Sequence, residues 1–472
     1  MMSCVFDLSA YENRIAVVTE KGERFYYRDV MRIYNEIGSC FGSTGKKLVM
    51  ILAKNNIETI AGYLAAIQGG HAAMLVEADL DQELLNNLLS VYRPAFLWGP
   101  KKNQDKAIFG YKNYGVTGFA GTAQTKLHSA LSVLLSTSGS TGSPKLVRLT
   151  GSNIIANARS IAAYLDLDET ERPAANLPIH YSYGLSVINS HLLVGATLLL
   201  TDTPLVKSGF WDFFKKESAT SLAGVPYTYE LLKRIGFFKM ELPSLRYMTQ
   251  AGGKLSNDLV REFAGFAHKK NFPFYIMYGA TEATARISYL LPEYNLKKVG
   301  SIGKAIPQGQ LRLLDEAGNV VVKPYTEGEL VYEGPNVMMG YASCRQDLVK
   351  GDELCGVLPT GDLAYFDEDG FYYITGRKSR FLKILGKRIS LSEVEGHLQA
   401  RGFDCLCGGK DDLFLVACSQ EAAPDKQKEV FNKIKTEVVL KYKIPVDLIN
   451  VFSIQQVPRN SAGKINYQKI FS

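Results

Sequence analysis

Residues 48–75 read "LVMILAKNNIETIAGYLAAIQGGHAAML", an apolar run, a longer segment of mixed spacing, and a second apolar run after paired glycines. Short apolar runs bounded by turn formers predict buried strands, and the segment between them predicts a helix. Further apolar runs near Ala174, Ala196 and Ser221 continue the alternation. Strands that alternate with helices require largely parallel sheets covered by helices. A chain of 472 residues is too long for one such core, so two or three domains are expected.

The pattern changes twice. Residues 311–340 hold short strands with turns at "DEAGN" and "PYTEGE", which predicts a small antiparallel or barrel-like piece. From Leu391 a helix with Val394 and Leu398 on one face, strands within 412–418, and a helix over 429–442 predict a small second domain beginning at about Ser379. The expected domains are therefore 1–378 and 379–472. Neither a repeat of solenoid period nor a low-complexity segment is present.

Composition excludes several classes. Apolar residues at 46% and charged residues at 21% are ordinary for a globular chain and rule out disorder and a coiled coil. The net charge of +7 comes without a Lys/Arg run, which argues against a nucleic-acid partner and leaves room for a small anionic ligand. The seven cysteines are odd in number, and Cys405 and Cys407 lack CxxC spacing, so reduced thiols in a cytoplasmic protein are expected. No Lys or Arg precedes Arg14, unlike a cationic targeting signal. The most apolar stretch, 184–205, is interrupted by Asn189 and His191 and falls short of the roughly twenty apolar residues of a membrane span.

Four stretches carry candidate chemistry. "STSGSTGSPK" (136–145) follows the strand-like "LSVLL" and combines hydroxyls, glycines and Lys145. Glycines let backbone N–H groups approach a ligand, and hydroxyls and a lysine suit phosphate. A flexible Gly/Ser turn fits the same ten residues, and neither GxxxxGK[ST] nor GxGxxG occurs there. "YGATEAT" (278–284) places an aromatic, a glycine, a hydroxyl and a carboxylate together, and also reads as a strand end before a helix cap. "LPTGDLAYFDEDGFYYITGRKSR" sets Asp362 and Arg377 on either side of a predicted hairpin at "DEDG", where surface charges are common. "PRNSAGKINY" puts Lys464 in a turn near the C-terminus, where an exposed lysine is usually without role.

In this order the motifs resemble the adenylate-forming superfamily of acyl-CoA synthetases, peptide-synthetase adenylation domains and luciferases. The first loop matches [ST]SG[ST]TGxPK at every fixed position, and "YGATE", "GELVYEGPNVMMGY", "TGDL", "GRKSRFLKILGKRI" and "NSAGK" follow in family order, from about Lys47 to the end. The resemblance implies an α/β fold: a large N-terminal domain of two doubly wound αβ subdomains plus a small β-barrel-like subdomain, then a small mobile α+β C-terminal domain. It also implies two reactions. A carboxylic acid attacks the α-phosphate of MgATP to give an acyl adenylate and pyrophosphate, and a thiol then takes the acyl group and releases AMP.

By the same resemblance Thr137, Ser138, Gly139, Ser140, Thr141 and Lys145 cradle the β- and γ-phosphates. Glu282 binds Mg²⁺ and Thr281 donates to the α-phosphate. Tyr278 and Gly279, with Gly252 and Gly253 of "TQAGGKL", receive the adenine side of the nucleotide, while Asp362 accepts from the ribose hydroxyls and Arg377 adds a ribose or phosphate contact. Lys464 bridges the acid and the α-phosphate. In the second step the small domain pivots at Ser379, Gly386 lines a thiol channel and Lys383 lies near the adenylate. The family's pivot is usually Asp or Lys, and serine between Lys378 and Arg380 leaves open how the two orientations are balanced.

The acid pocket of such enzymes takes residues from the stretch "LPIHYSYGLS", which here offers His180, Tyr181 and Tyr183 and no carboxylate. An unpaired buried ammonium is costly, so an α-amino acid is disfavoured. The aromatic lining points to an aryl, aryl-like or short to medium acyl acid. His180 also reads as a packing residue, and no proton transfer is assigned to it. The sequence carries no carrier domain, so the acceptor is expected in trans, coenzyme A first and the phosphopantetheine of a carrier protein second. A non-catalytic nucleotide-binding protein of the same fold, or an oxygenase, is the reading from another class. Retention of Lys464, Glu282, Asp362 and Arg377 argues against the former.

Overall fold

A computed structural model of the chain describes residues 5–101, 107–119, 126–136, 145–378, 380–385, 387–419, 424–460 and 463–471. Its packing divides into two units, Met1–Gln310 with Tyr332–Leu358, and Leu311–Val331 with Pro359–Ser472. The small sheet that carries Asp362 and Arg377 therefore falls largely in the second unit.

The first unit holds two sheets. In one, Leu131–Ser136, Ala72–Glu77, Leu48–Ala53 and Phe96–Pro100 run parallel, and antiparallel strands complete its edges. In the other, Phe274–Tyr278, Tyr247–Gln250, Ser221–Gly224, Pro173–Ala175, Leu198–Leu200 and Ile15–Thr19 form the parallel series. Every side chain of Leu48–Ala53 is buried, as expected of a parallel strand covered on both faces. Helix Ile57–Gln68 is buried over nearly all of its surface, and a helix apolar all round needs cover on all sides. It finds that cover in one core shared with strands of both sheets, among them Val49, Leu75, Val17 and Leu198. Asn56 caps the helix by accepting from the Thr59 N–H, and the Tyr63 hydroxyl donates to Asn189 of helix Ser182–Leu193 at 3.1 Å.

The α/β architecture expected from the strand–helix alternation is thus the observed one, and it decides where a ligand can bind. In open parallel sheets ligands sit beyond the carboxyl ends of the strands. Leu131–Ser136 leads into the hydroxyl loop, Tyr247–Gln250 into Gly252, and Phe274–Tyr278 into Gly279.

In the second unit a four-stranded sheet comprises Gln310–Leu314, Gly328–Glu333, Val357–Phe366 and Tyr372–Arg377. A hairpin of Phe381–Ile384 and Lys387–Ser390, a sheet of Cys405–Lys410, Leu413–Cys418 and Ile449–Ser453, and helices Leu391–Ala400 and Pro424–Tyr442 follow. Their core joins Val394 and Leu398 to Cys405, Cys407, Cys418, Ile434 and Val438. Cys405 and Cys407 do share a face. The six described cysteines are all free thiols. Among the described residues no helix is long and apolar enough to cross a membrane.

One buried group makes this fold sensitive to acid. His191, 2% exposed, is bonded at Nδ1 to the Val187 carbonyl (2.8 Å) and at Nε2 to the Tyr247 hydroxyl (3.0 Å). Burial pushes its imidazole down to about 4, although the Val187 contact opposes the shift. The unfolded chain binds the proton more readily, so the stability from this group is complete above about pH 6.5 and is lost as pH falls toward 4. Denaturant titrations at pH 7.5 and 5.0 should differ by about 2 kcal/mol from this group alone. A His191→Gln variant should show a correspondingly smaller difference, and an equal one would remove His191 as the cause.

Candidate active site

The turn after strand Phe274–Tyr278 is built so that its side chains have little choice of position. Gly279 lies so close to the returning chain that a Cβ there would stand 1.8 Å from the Ala285 carbonyl oxygen. A 3₁₀ turn, Thr281–Ala283, follows, and Thr284 takes a left-handed φ of 64°. Asn336, 1% exposed, clamps this turn: its Nδ2 donates to the Ala283 carbonyl (2.7 Å) and the Arg286 carbonyl (2.8 Å), and its Oδ1 accepts from the Tyr332 hydroxyl (2.7 Å). Thr284 Oγ1 donates to the Asn336 carbonyl at 2.7 Å, and the Met338 N–H donates to the Glu282 carbonyl at 2.8 Å.

Two predicted site residues emerge from this turn with defined neighbours. Thr281, buried, shares a hydrogen bond of 3.0 Å with Ser182 at the start of helix Ser182–Leu193. Glu282, half-buried, accepts from the Tyr341 hydroxyl at 2.8 Å. Strand Gly340–Ala342 pairs antiparallel with Leu146–Thr150, which sets Tyr341 opposite Val147 and beside Lys145. Lys145 Nζ stands 3.5 Å from the centroid of the Tyr341 ring, a cation–π contact. A cation, a phenol and a carboxylate from three distant parts of the chain therefore meet at one place.

The Gly252–Gly253 loop is shaped by Gln250, whose Nε2 donates to the Gly253 carbonyl at 2.8 Å. Gly252 has φ +84°, and a Cβ there would stand 2.5 Å from the Tyr181 hydroxyl oxygen. Tyr183 lies edge-on to Tyr181 with ring centroids 6.2 Å apart and anchors its hydroxyl on Thr249, 2.9 Å from the carbonyl and 2.8 Å from Oγ1. Burial pushes the Tyr181 phenol up to about 12, against an opposing pull from the Arg286 guanidinium. His180 is partly buried, which holds its imidazole below the ordinary range against an upward pull from Glu77, and it makes no hydrogen bond among the described residues. Tyr278 ends its strand half-buried.

The second unit holds its own group. Asp362 and Arg377 are direct cross-strand partners, with Arg377 Nε 3.1 Å from Asp362 Oδ1. Lys383, exposed on strand Phe381–Ile384, receives backbone support from Asp411, whose Oδ1 accepts from the Lys383 N–H at 2.9 Å. Lys464 lies at a tight turn in which its N–H donates to Asn460 Oδ1 and its carbonyl accepts from the Asn460 N–H, both at 2.9 Å. On one side of Ser379, Lys378 Nζ is 2.8 Å from Glu329, and on the other Arg380 is held bidentately by Glu395 (2.7 and 3.1 Å) over the Tyr467 ring. Thr137, Ser138, Gly139, Ser140, Thr141, Ser379 and Gly386 lie outside the described residues.

Sequence reasoning missed Tyr341, Asn336 and Arg286. Arg286 is 2% exposed, with its Cζ 4.1 Å from the centroid of the Tyr183 ring. The signal for it was a single cation inside the apolar stretch "ATARISYL".

These donors fit a nucleotide and its metal. Among the described residues no group of three or more His, Cys, Asp or Glu could hold a metal on its own. A single carboxylate such as Glu282 suits Mg²⁺, which completes its shell with water and phosphate oxygens.

Comparison with known proteins gives the same picture. The family model described as "AMP-binding enzyme" matches residues 7–342. A 2-succinylbenzoate–CoA ligase of Bacillus cereus is 30% identical over 435 residues, 88% of this chain and 86% of the relative. The Bacillus subtilis o-succinylbenzoate CoA synthetase (MenE) has been solved with the acyl-adenylate intermediate OSB-AMP (TM-score 0.76, 24% identity, 97% of this chain and 95% of that chain). It has also been solved with ATP and magnesium ion (TM-score 0.75, 24% identity, 97% and 96%). At these identities the structural likeness is one of fold. The family match over well more than half of the length, with the ordered motifs and the geometry around Glu282, means that this chain belongs to the AMP-binding enzymes of the adenylate-forming superfamily.

Proposed function

We propose that this chain is an acid–thiol ligase that activates an aromatic oxo acid of the 2-succinylbenzoate kind with MgATP and passes the acyl group to coenzyme A. The observation that carries the reading is the convergence of Lys145, Tyr341 and Glu282 beside the buried Thr281, at the carboxyl end of a parallel strand. Attack of a carboxylate on a phosphate brings two anions together, so the barrier falls only where cations and donors already face the developing charge.

In this mechanism Lys145, with the hydroxyl loop before it, holds the phosphates that leave as pyrophosphate. Glu282 would hold Mg²⁺, which would neutralise phosphate charge when bound. Thr281 donates to the α-phosphate. Its bond to Ser182 orients the hydroxyl, while the Gly252 loop and Tyr278 receive the base. Asp362 accepts from the ribose hydroxyls, with Arg377 fixing its carboxylate. Lys464 supplies the cation between acid and α-phosphate. For the second step the chain turns at Ser379, dividing residues 1–378 from 379–472, and Lys383 and Gly386 then serve the thiol. The aromatic residues Tyr181 and Tyr183 support an aryl acid, and the lack of a carboxylate in that stretch speaks against an α-amino acid. The free thiols are in keeping with a reducing, cytoplasmic setting.

A hydroxamate-trapping screen over aryl, acyl and amino acids tests this. MgATP-dependent hydroxamate should be strongest with 2-succinylbenzoate and at background with α-amino acids. Coenzyme A should then accept the acyl group better than a phosphopantetheinylated carrier protein. If no acid drives AMP formation, the ligase reading fails.

A further inference from the structure

Arg286 is a fully buried cation beside the aromatic wall, and nothing in the adenylation chemistry above uses it. Its guanidinium lies on the face of Tyr183, a residue assigned to the acid pocket from sequence, and that ring neighbours Tyr181. Its backbone closes the turn behind Gly279, held by Asn336. Among the described residues no carboxylate pairs with it, and its Nε is buried without a hydrogen-bond partner. Two phenols stand close: Tyr183 beneath the guanidinium, and Tyr164, whose hydroxyl is a hydrogen-bond partner of Arg286, also reaches Met277 Sδ at 3.0 Å, and stays neutral because burial raises its pKa. A buried cation without an anion is costly, and such a charge is kept where a partner arrives with the ligand. A guanidinium presents paired N–H donors that match a carboxylate.

We propose that Arg286 receives a second carboxylate of the acid substrate, the one that is not activated, so that this site selects dianionic acids over monoanionic acids of the same skeleton. The inference rests on the acid-activating reading above. Arg286 touches the substrate away from the reacting carboxylate and sets specificity. A monoacid leaves the buried guanidinium without a counter-ion, so discrimination should be large rather than graded.

The test measures kcat/KM for pyrophosphate release with acids in matched pairs: 2-succinylbenzoate with 4-oxo-4-phenylbutanoate, phthalate with benzoate, and glutarate with butyrate. The wild-type chain should favour the diacid of its best pair by about 100-fold. Arg286→Gln should lose about 100-fold on that diacid, mostly through KM, and change little on the monoacid, while Arg286→Lys should retain part of the preference. Equal use of both members of every pair by the wild type overturns the proposal without touching the ligase reading, and needs no variant to fold. An equal loss on diacid and monoacid in Arg286→Gln also overturns it, because a residue that only supports the fold would behave so. Failure of the wild type to activate any acid overturns the ligase reading, and this inference with it.

Discussion

Alanine at Lys464 is expected to slow acyl-adenylate formation about 1,000-fold, equivalent to about 4 kcal/mol of lost transition-state stabilisation. The effect follows from its assigned role as the cation between two anions, whose repulsion is greatest as the carboxylate reaches phosphorus. The variant should still convert a supplied acyl adenylate to its thioester at close to the wild-type rate, since that step needs no such bridge. Its fold should survive, because the turn around residue 464 is held by backbone and Asn460 contacts rather than by the lysine side chain alone. Pyrophosphate exchange reads the first step and thioester formation from the isolated adenylate reads the second. An undiminished exchange rate would refute the role of Lys464.

The second large effect is structural. Gly279→Ala places a methyl group 1.8 Å from the Ala285 carbonyl oxygen, 2.8 Å from its carbon and 3.0 Å from the Arg286 Cα, all backbone atoms. No side chain can rotate away to make room, so the turn carrying Thr281 and Glu282 must move. Overpacking of a tight site costs about 3 kcal/mol, and displacing reactive groups by about 1 Å costs on the order of 100-fold in rate. Gly265→Ala is the matched control: on helix Asn257–Lys270, away from the candidate site residues, its added methyl meets nothing within 4 Å. Thermal denaturation and adenylation assays should separate the two variants, and equal behaviour would show that the 279 contact relaxes without consequence.

What the sequence disclosed was local. The apolar run 48–53, the helix after it and the run over 72–77 are legible because strands and helices repeat within a few residues. The Asp362–Arg377 pairing is legible for the same reason, since a turn at "DEDG" brings fifteen-residue neighbours face to face. The partners of Glu282 were not legible. Tyr341 reaches it because strand Gly340–Ala342 joins the edge of a sheet whose neighbour there begins at Leu146, a pairing no local period encodes. Asn336 looked like one more loop residue in "YEGPN" until its two donors were seen to hold the 283–286 backbone. The position of Arg286 was plain in the sequence, while its burial against Tyr183 needed the fold.

The amide of Asn336 joins, through one short turn, the backbone of Ala283, next to Glu282, to that of the buried Arg286. Under the roles proposed for Glu282 and Arg286, a redesign at position 286 that shifts this backbone is expected to be felt in the demand for magnesium. A library that varies 286 alone should yield variants whose new substrate preference travels with an altered metal requirement, and co-varying residues 332 and 336 is the natural way to uncouple the two.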